Sequence, residues 1–165
     1  MRAYIFALAF PFVIVGCASN KYVPPSDGPL VSLTVPVIKR DWKLIGGFSF
    51  GGVNIAVKNG DGCGMYANPV GRDQEDNEVV VSIPADKDIF VSVIRNHGNA
   101  SCHISSLFSP EVGSEYRLYF EEVGNYCVVS LLEKKAGGAT EKVKLNKSYT
   151  SSWDGVKVCD AKDKL

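Results

Sequence analysis

Alternation of apolar and polar residues at a period of two is the feature that most restricts this chain. Successive side chains of a strand point to opposite faces, so a strand buried on one side must alternate. Val31, Leu33 and Val35 share one face, with Ser32 and Thr34 on the other. Phe48 to Lys58 repeats the pattern, with Val53, Ile55 and Val57 set against Asn54 and Ala56. Further strand-like runs follow at Glu78 to Pro84, Asp88 to Arg95, Cys102 to Phe108, Glu115 to Glu121, Tyr126 to Glu133 and Lys142 to Leu145. Between them, Asn59-Gly60-Asp61-Gly62, Ser109 to Gly113, Val123-Gly124-Asn125 and Ala136-Gly137-Gly138-Ala139 carry turn residues. Pro84-Ala85-Asp86-Lys87 predicts a hairpin joining its two flanking runs. Pro36 predicts that the first strand ends there or lies at a sheet edge, and Gly51-Gly52 predicts a bulge or a close backbone approach. No stretch after the first sixteen residues sustains a helical period. The pattern predicts an all-β fold, an antiparallel β-sandwich of about seven to nine strands over residues 30–165.

The N-terminus follows a different rule. Met1-Arg2 supplies a positive end, and Tyr4 to Gly16 an apolar run of about a dozen residues, the length of a secretory signal core. A membrane-spanning helix needs roughly 20 apolar residues, and Pro11 removes a helix hydrogen bond midway. The run ends in Ile14-Val15-Gly16-Cys17, followed by Ala18-Ser19-Asn20. Apolar core, small residue and cysteine in this order resemble the lipobox of bacterial lipoproteins. That resemblance implies a signal peptide over residues 1–16, a diacylglycerol on the Cys17 thiol, and Cys17 as the mature N-terminus. Ala18 after the cysteine is similar to lipoproteins sent to the outer membrane, which implies a lipid-anchored, periplasm-facing protein. Two acyl chains anchor stably where one does not, at roughly 0.8 kcal/mol per buried methylene. Residues 17–29, rich in Pro and Ser, read as the lipidated cysteine and a linker reaching at most roughly 40 Å.

Cleavage after Gly16 leaves about 150 residues, enough for one domain with one core. Arg2 is the one charged residue removed, so the formal balance moves from zero to minus one. A chain without excess Lys and Arg has no electrostatic footprint for nucleic acid and no basic cluster for anionic lipid. The membrane contact expected is the N-terminal lipid.

Four cysteines follow Cys17: Cys63, Cys102, Cys127 and Cys159. An even number in an exported chain argues for disulfides, and four cysteines allow three connectivities. Cys102 and Cys127 each open an apolar strand-like run, so the expectation is Cys102 to Cys127 and Cys63 to Cys159. With no CxxC pair and wide spacings, zinc is not expected. Asp73, Glu75, Asp76 and Glu78 crowd one loop but lack the alternating spacing and central glycine of a calcium loop, so they read as a solvated loop. No cofactor is expected.

His97 and His103 are the two histidines, the side chains that ordinarily titrate near neutrality. A nucleophilic triad requires a Ser or Cys beside a histidine held by an acid. His103 neighbours Cys102, but adjacent strand residues face opposite ways, and His97 sits in the turn-like Asn96-His97-Gly98-Asn99. Neither a GxSxG nor an HExxH, P-loop or dinucleotide motif is present. The acidic pair Glu121-Glu122 reads as exposed surface rather than a glycosidase's two carboxylates. The run from Pro84 to Leu132, with its Asp86-Lys87 strand entry, Ser109-Pro110-Glu111 turn, Tyr116 and Cys127, resembles the transthyretin-like and immunoglobulin-like domains of small bacterial lipoproteins. That likeness implies architecture only.

These observations predict a non-enzymatic envelope lipoprotein that binds an envelope protein, similar in outline to lipoproteins serving secretion assemblies. A sheet edge such as the Pro36-limited first strand would take a partner strand. Two alternatives stand beside it. A module for cell-wall glycan would need Trp42, Trp153 or tyrosines exposed as a platform, and a hydrolase inhibitor would need a protruding loop.

Overall fold

The computed structural model describes residues 20–39, 41–43, 47–70, 75–97, 100–124, 126–150 and 156–163. Its strands are β1 (Leu30–Pro36), β2 (Asp41–Lys43), β3 (Gly47–Val57), β4 (Cys63–Met65), β5 (Glu78–Pro84) and β6 (Ile89–His97), then β7 (Ala100–Phe108), β8 (Glu115–Val123), β9 (Tyr126–Lys134), β10 (Thr140–Lys142), β11 (Asn146–Thr150) and β12 (Lys157–Asp160). They form a five-stranded sheet, β10-β9-β8-β1-β5, and a seven-stranded sheet, β2-β3-β6-β7-β11-β12-β4, packed as a β-sandwich. The strands beyond the expected number are the three- and four-residue ones, β2, β4, β10 and β12, too short to display alternation. Of the run expected at Lys142 to Leu145 only Lys142 is in a strand, as the end of β10, and β11 begins just after the run.

The core between the sheets is built by the alternating residues. Val31, Leu33 and Val35 of β1, Tyr116 and Leu118 of β8 and Leu131 of β9 meet Val53 and Ile55 of β3 and Ile89, Val91 and Val93 of β6. Phe108 of β7 packs on Tyr116 across the layers, ring centroids 5.4 Å apart, within the range where tilted aromatic pairs attract. Tyr116 also organises the turn that crosses from β7 to β8. Its Oη accepts the Glu111 N–H at 2.7 Å and donates to Glu133 Oε1 at 3.0 Å, and the same oxygen accepts the Ser114 hydroxyl at 2.6 Å. Glu133 is buried, and these donors replace the water it loses.

The seven-stranded sheet is buried on its other face too. Ala56, Phe90, Leu107, Val158 and Tyr66 form a second cluster. The sheet curls to enclose it: Ala67, just past β4, exchanges two 2.8 Å backbone hydrogen bonds with Ile55 of β3. Gly64 permits this curl, because a Cβ there would lie 2.6 Å from the Val57 carbonyl oxygen. Gly51 likewise marks the close approach expected at Gly51-Gly52, with Ile94 O 2.5 Å from where its Cβ would sit.

Four expectations are corrected. The segment Pro84 to Lys87 is not a hairpin: β5 belongs to the five-stranded sheet and β6 to the other. Ile83, Ala85, Ile89 and Phe90 are all buried, so the chain crosses through the sandwich, and alternation alone does not distinguish a crossing from a hairpin. β1 is not an edge: it lies between β5 and β8, and Pro36 ends the strand instead. The sandwich is not wholly antiparallel, because β1 runs parallel to β8. Finally, one residue of the expected linker docks on the domain. Tyr22 is 8% exposed and joins the central core, its N–H donates to Asn68 O at 3.0 Å, and Asn68 N–H donates to Asn20 O at 2.9 Å. A lone tyrosine before prolines carries no periodic signal, so its docking was invisible in the sequence.

Burial pushes the Tyr22 hydroxyl from 10.0 up to about 12. The folded state holds this proton more tightly, so the contribution is full below pH 10 and is lost as pH rises through about 12. In alkaline unfolding, Tyr22→Phe should flatten this fall. A tyrosinate absorbance titration in which Tyr22 ionises at its ordinary value would sink the assignment.

Candidate functional site

Of the residues singled out in the sequence, Cys17, Asp73, Trp153 and the side chain of Trp42 lie outside the described residues. The remaining four cysteines come together in two pairs. Cys63 of β4 and Cys159 of β12 are directly opposite each other in the ladder, Cα atoms 4.0 Å apart. Cys102 of β7 and Cys127 of β9 join the two sheets, Cα atoms 6.2 Å apart. The first pair fastens the C-terminal strand. The second fixes the turn end of the β8–β9 hairpin to the opposite layer.

His103 and Cys102 face opposite sides of β7, as strand geometry requires. Cys102 is turned to the facing sheet through its disulfide, whereas His103 Nε2 lies 3.1 Å from Ser92 Oγ. Ser92 is fully buried. Beside it, Tyr66 Oη is hydrogen-bonded to Ser105 Oγ, which lies 2.6 Å from Ser148 Oγ. Burial raises the Tyr66 hydroxyl above its ordinary value, and the serine contacts pull it back. A shallow depression at this cluster is lined by His103, Ile104, Ser105, Lys147, Ser148, Tyr149 and Thr150, none of them acidic. The histidine thus touches a hydroxyl without a carboxylate among the lining residues to orient it, and the hydroxyl is sealed from solvent. His97 is exposed at the end of β6.

Glu75 and Asp76 are exposed, while Glu78 has become part of β5 and lies 3.2 Å from Arg117 of β8. Glu121 is exposed, and Glu122 lies 3.4 Å from Arg95 Nε in the facing sheet. Among the described residues no three His, Cys, Asp or Glu side chains converge as a metal site, and no helix is long and apolar enough to cross a membrane.

The surface that stands out was not singled out in the sequence. On the outer face of the five-stranded sheet, Val123 and Tyr126 are paired across the β8–β9 hairpin, followed by Val128 opposite Glu121 and Tyr119 opposite Ser130. Tyr126 is 78% exposed, and Val123, Val128 and Tyr119 are exposed with it. The inward residues of the same strands, Tyr116, Leu118 and Leu131, are buried. The hairpin therefore carries apolar side chains on both of its faces. Alternation was the signal sought, and an apolar residue on the outward phase looks like noise until the register is known. Further along this face, Ser32, Thr34, Arg117, Tyr119, Leu132 and Lys134 help to line a groove of about 450 Å³.

Breaking the disulfides should separate their roles. In the chain-entropy model a bridge spanning 96 residues is worth ~4.7 kcal/mol and one spanning 25 residues ~3.5 kcal/mol. Urea unfolding of Cys63→Ser/Cys159→Ser should therefore show the larger loss relative to Cys102→Ser/Cys127→Ser. The reverse order would mean that the bridge between sheets holds more native structure than loop closure accounts for.

Compared with known proteins, this chain matches no family model, no curated protein and no solved structure.

Proposed function

We propose that this protein is a non-enzymatic lipoprotein of the bacterial outer membrane, anchored through Cys17 and facing the periplasm, that binds a protein partner through the tip of the β8–β9 hairpin. The observation that carries the binding role is the exposed group Val123, Tyr126, Val128 and Tyr119 on one face. Adjacent exposed apolar side chains on a folded domain mark interaction sites, and aromatic residues are enriched in protein interfaces. The Cys102–Cys127 bridge supports the reading by holding that hairpin to the facing sheet, so little order remains to be imposed on binding. The direction of the chain supports it as well. Because β1 runs parallel to β8 with Ser32 opposite Glu115, the start of β1 and the hairpin tip lie at opposite ends of the sheet. Nine residues of β8 span ~30 Å, which sets the tip apart from the anchored end.

A second reading is a glycan-binding module. The outer-face groove favours it, since Ser32, Thr34, Arg117, Lys134 and Tyr119 offer hydroxyls, charges and one half-exposed ring suited to sugar hydroxyls and faces.

Affinity capture from native envelopes separates the readings. The full chain should retain a defined protein, Tyr126→Ser/Val128→Ser should lose it without a change in melting temperature, and intact mass should show the lipid on wild type but not on Cys17→Ala. Recovery of wall fragments in place of protein, abolished by Tyr119→Ala, would favour the glycan reading. An unmodified Cys17 would end the lipoprotein assignment.

A further inference from the structure

We propose that two copies of this chain join edge to edge through β5, continuing the five-stranded sheet across a twofold axis. β5 is the outermost strand of its sheet, and among the described residues β1 is its one neighbour there. The hydrogen bonds that flank this ladder fix which backbone groups point outward. Ala85 N–H donates to Pro29 O at 2.9 Å, and Val37 N–H donates to Asn77 O at 2.8 Å. Both pairs continue the β1–β5 register, and in an antiparallel ladder the bonded pairs recur at every second residue. Val79, Val81 and Ile83 therefore turn their backbone groups to β1, and Glu78, Val80 and Ser82 turn theirs away from it. The Tyr22 hydroxyl, which donates to Ser82 O at 3.1 Å, agrees with this assignment. It occupies one of the two lone pairs of that carbonyl.

Natural edges are blunted by lysine, proline, bulges, short length or a covering element. Among the described residues, β2 and β10 are three residues long, β10 ends in Lys142, and the chain after β4 is bonded back to β3. Along Val79 to Ile83, β5 has no lysine, proline or bulge, and the Tyr22 hydroxyl covers one of its outward carbonyls, that of Ser82. All seven of its residues pair with β1 without a bulge, with Glu78 at one end and Pro84 at the other.

The side chains favour a second copy as the occupant. Antiparallel pairing with Val80 opposite Val80 uses the outward backbone groups of both strands and sets Glu78 of each copy against Ser82 of the other. A register centred on Glu78 would oppose two carboxylates, which destabilises a strand pair. Val80 is 66% exposed on the outer face and would be covered by its twin, while the half-buried Val79 and Val81 gain cover on the inner face.

Sedimentation velocity on the full chain in non-ionic detergent tests this, and the result does not depend on whether Cys17 is acylated. Wild type should form a concentration-dependent dimer. Val80→Lys should be monomeric with an unchanged melting temperature, and Val112→Lys, at an exposed turn position away from the edge, should remain dimeric. Val80→Cys should crosslink between copies with a short bifunctional thiol reagent. A wild type that stays monomeric, a dimer that survives Val80→Lys, or an edge occupied instead by a strand of another protein would each overturn the proposal.

Discussion

Burial of both faces of β6 is the constraint on which the other layers depend. Ile89, Val91 and Val93 face the five-stranded sheet, while Phe90 faces the second cluster and Ser92 is sealed beside it. A strand covered on two faces and hydrogen-bonded on two edges needs neighbours in four directions. β3 and β7 supply the edges, the five-stranded sheet covers one face, and the curl through β11, β12 and β4 covers the other. The crossing at Pro84 to Lys87 follows, because a hairpin with β5 would take an edge that β3 or β7 occupies.

The charged groups serve the same arrangement at its margins. Lys58, at the end of β3, lies 2.9 Å from the buried carboxylate of Asp160 and 3.7 Å from Asp88. The Lys162 N–H, first, and then Lys58 hold the Asp160 carboxyl below its ordinary range. With the Cys63–Cys159 bridge alongside, the C-terminal strand is held by covalent, ionic and hydrogen-bonded contacts at one site. A buried carboxylate is tolerable on these terms because its charge is paired and its lone pairs accept.

Two surfaces of the five-stranded sheet carry exposed apolar side chains: the β8–β9 tip, and the β5 edge at Val80. They sit on the same sheet but differ in kind. The tip offers side chains, Tyr126 above all, whereas the edge offers backbone groups with valines beside them. The proposed partner contact at the hairpin and the proposed self-contact at the edge therefore use different atoms.

The sequence by itself determined the strands and most of the turns between them, because alternation and turn chemistry are local properties of residues near in the chain. Val31, Leu33, Val35, Tyr116 and Leu118 point inward as their period demanded. The cysteines expected to pair are the ones brought together, an expectation that rested on Cys102 and Cys127 each opening a strand-like run. Tertiary structure alone decided which strands are neighbours. It put β1 in the interior of a sheet although it ends in proline, separated β5 from β6, and placed Tyr22 in the core. It also gathered Tyr66, Ser92, Ser105 and Ser148 from four places in the chain, and it left Val123, Tyr126 and Val128 on the outside. Each of these depends on contacts between residues far apart in sequence, and a period of two says which face a side chain takes but not what lies opposite it.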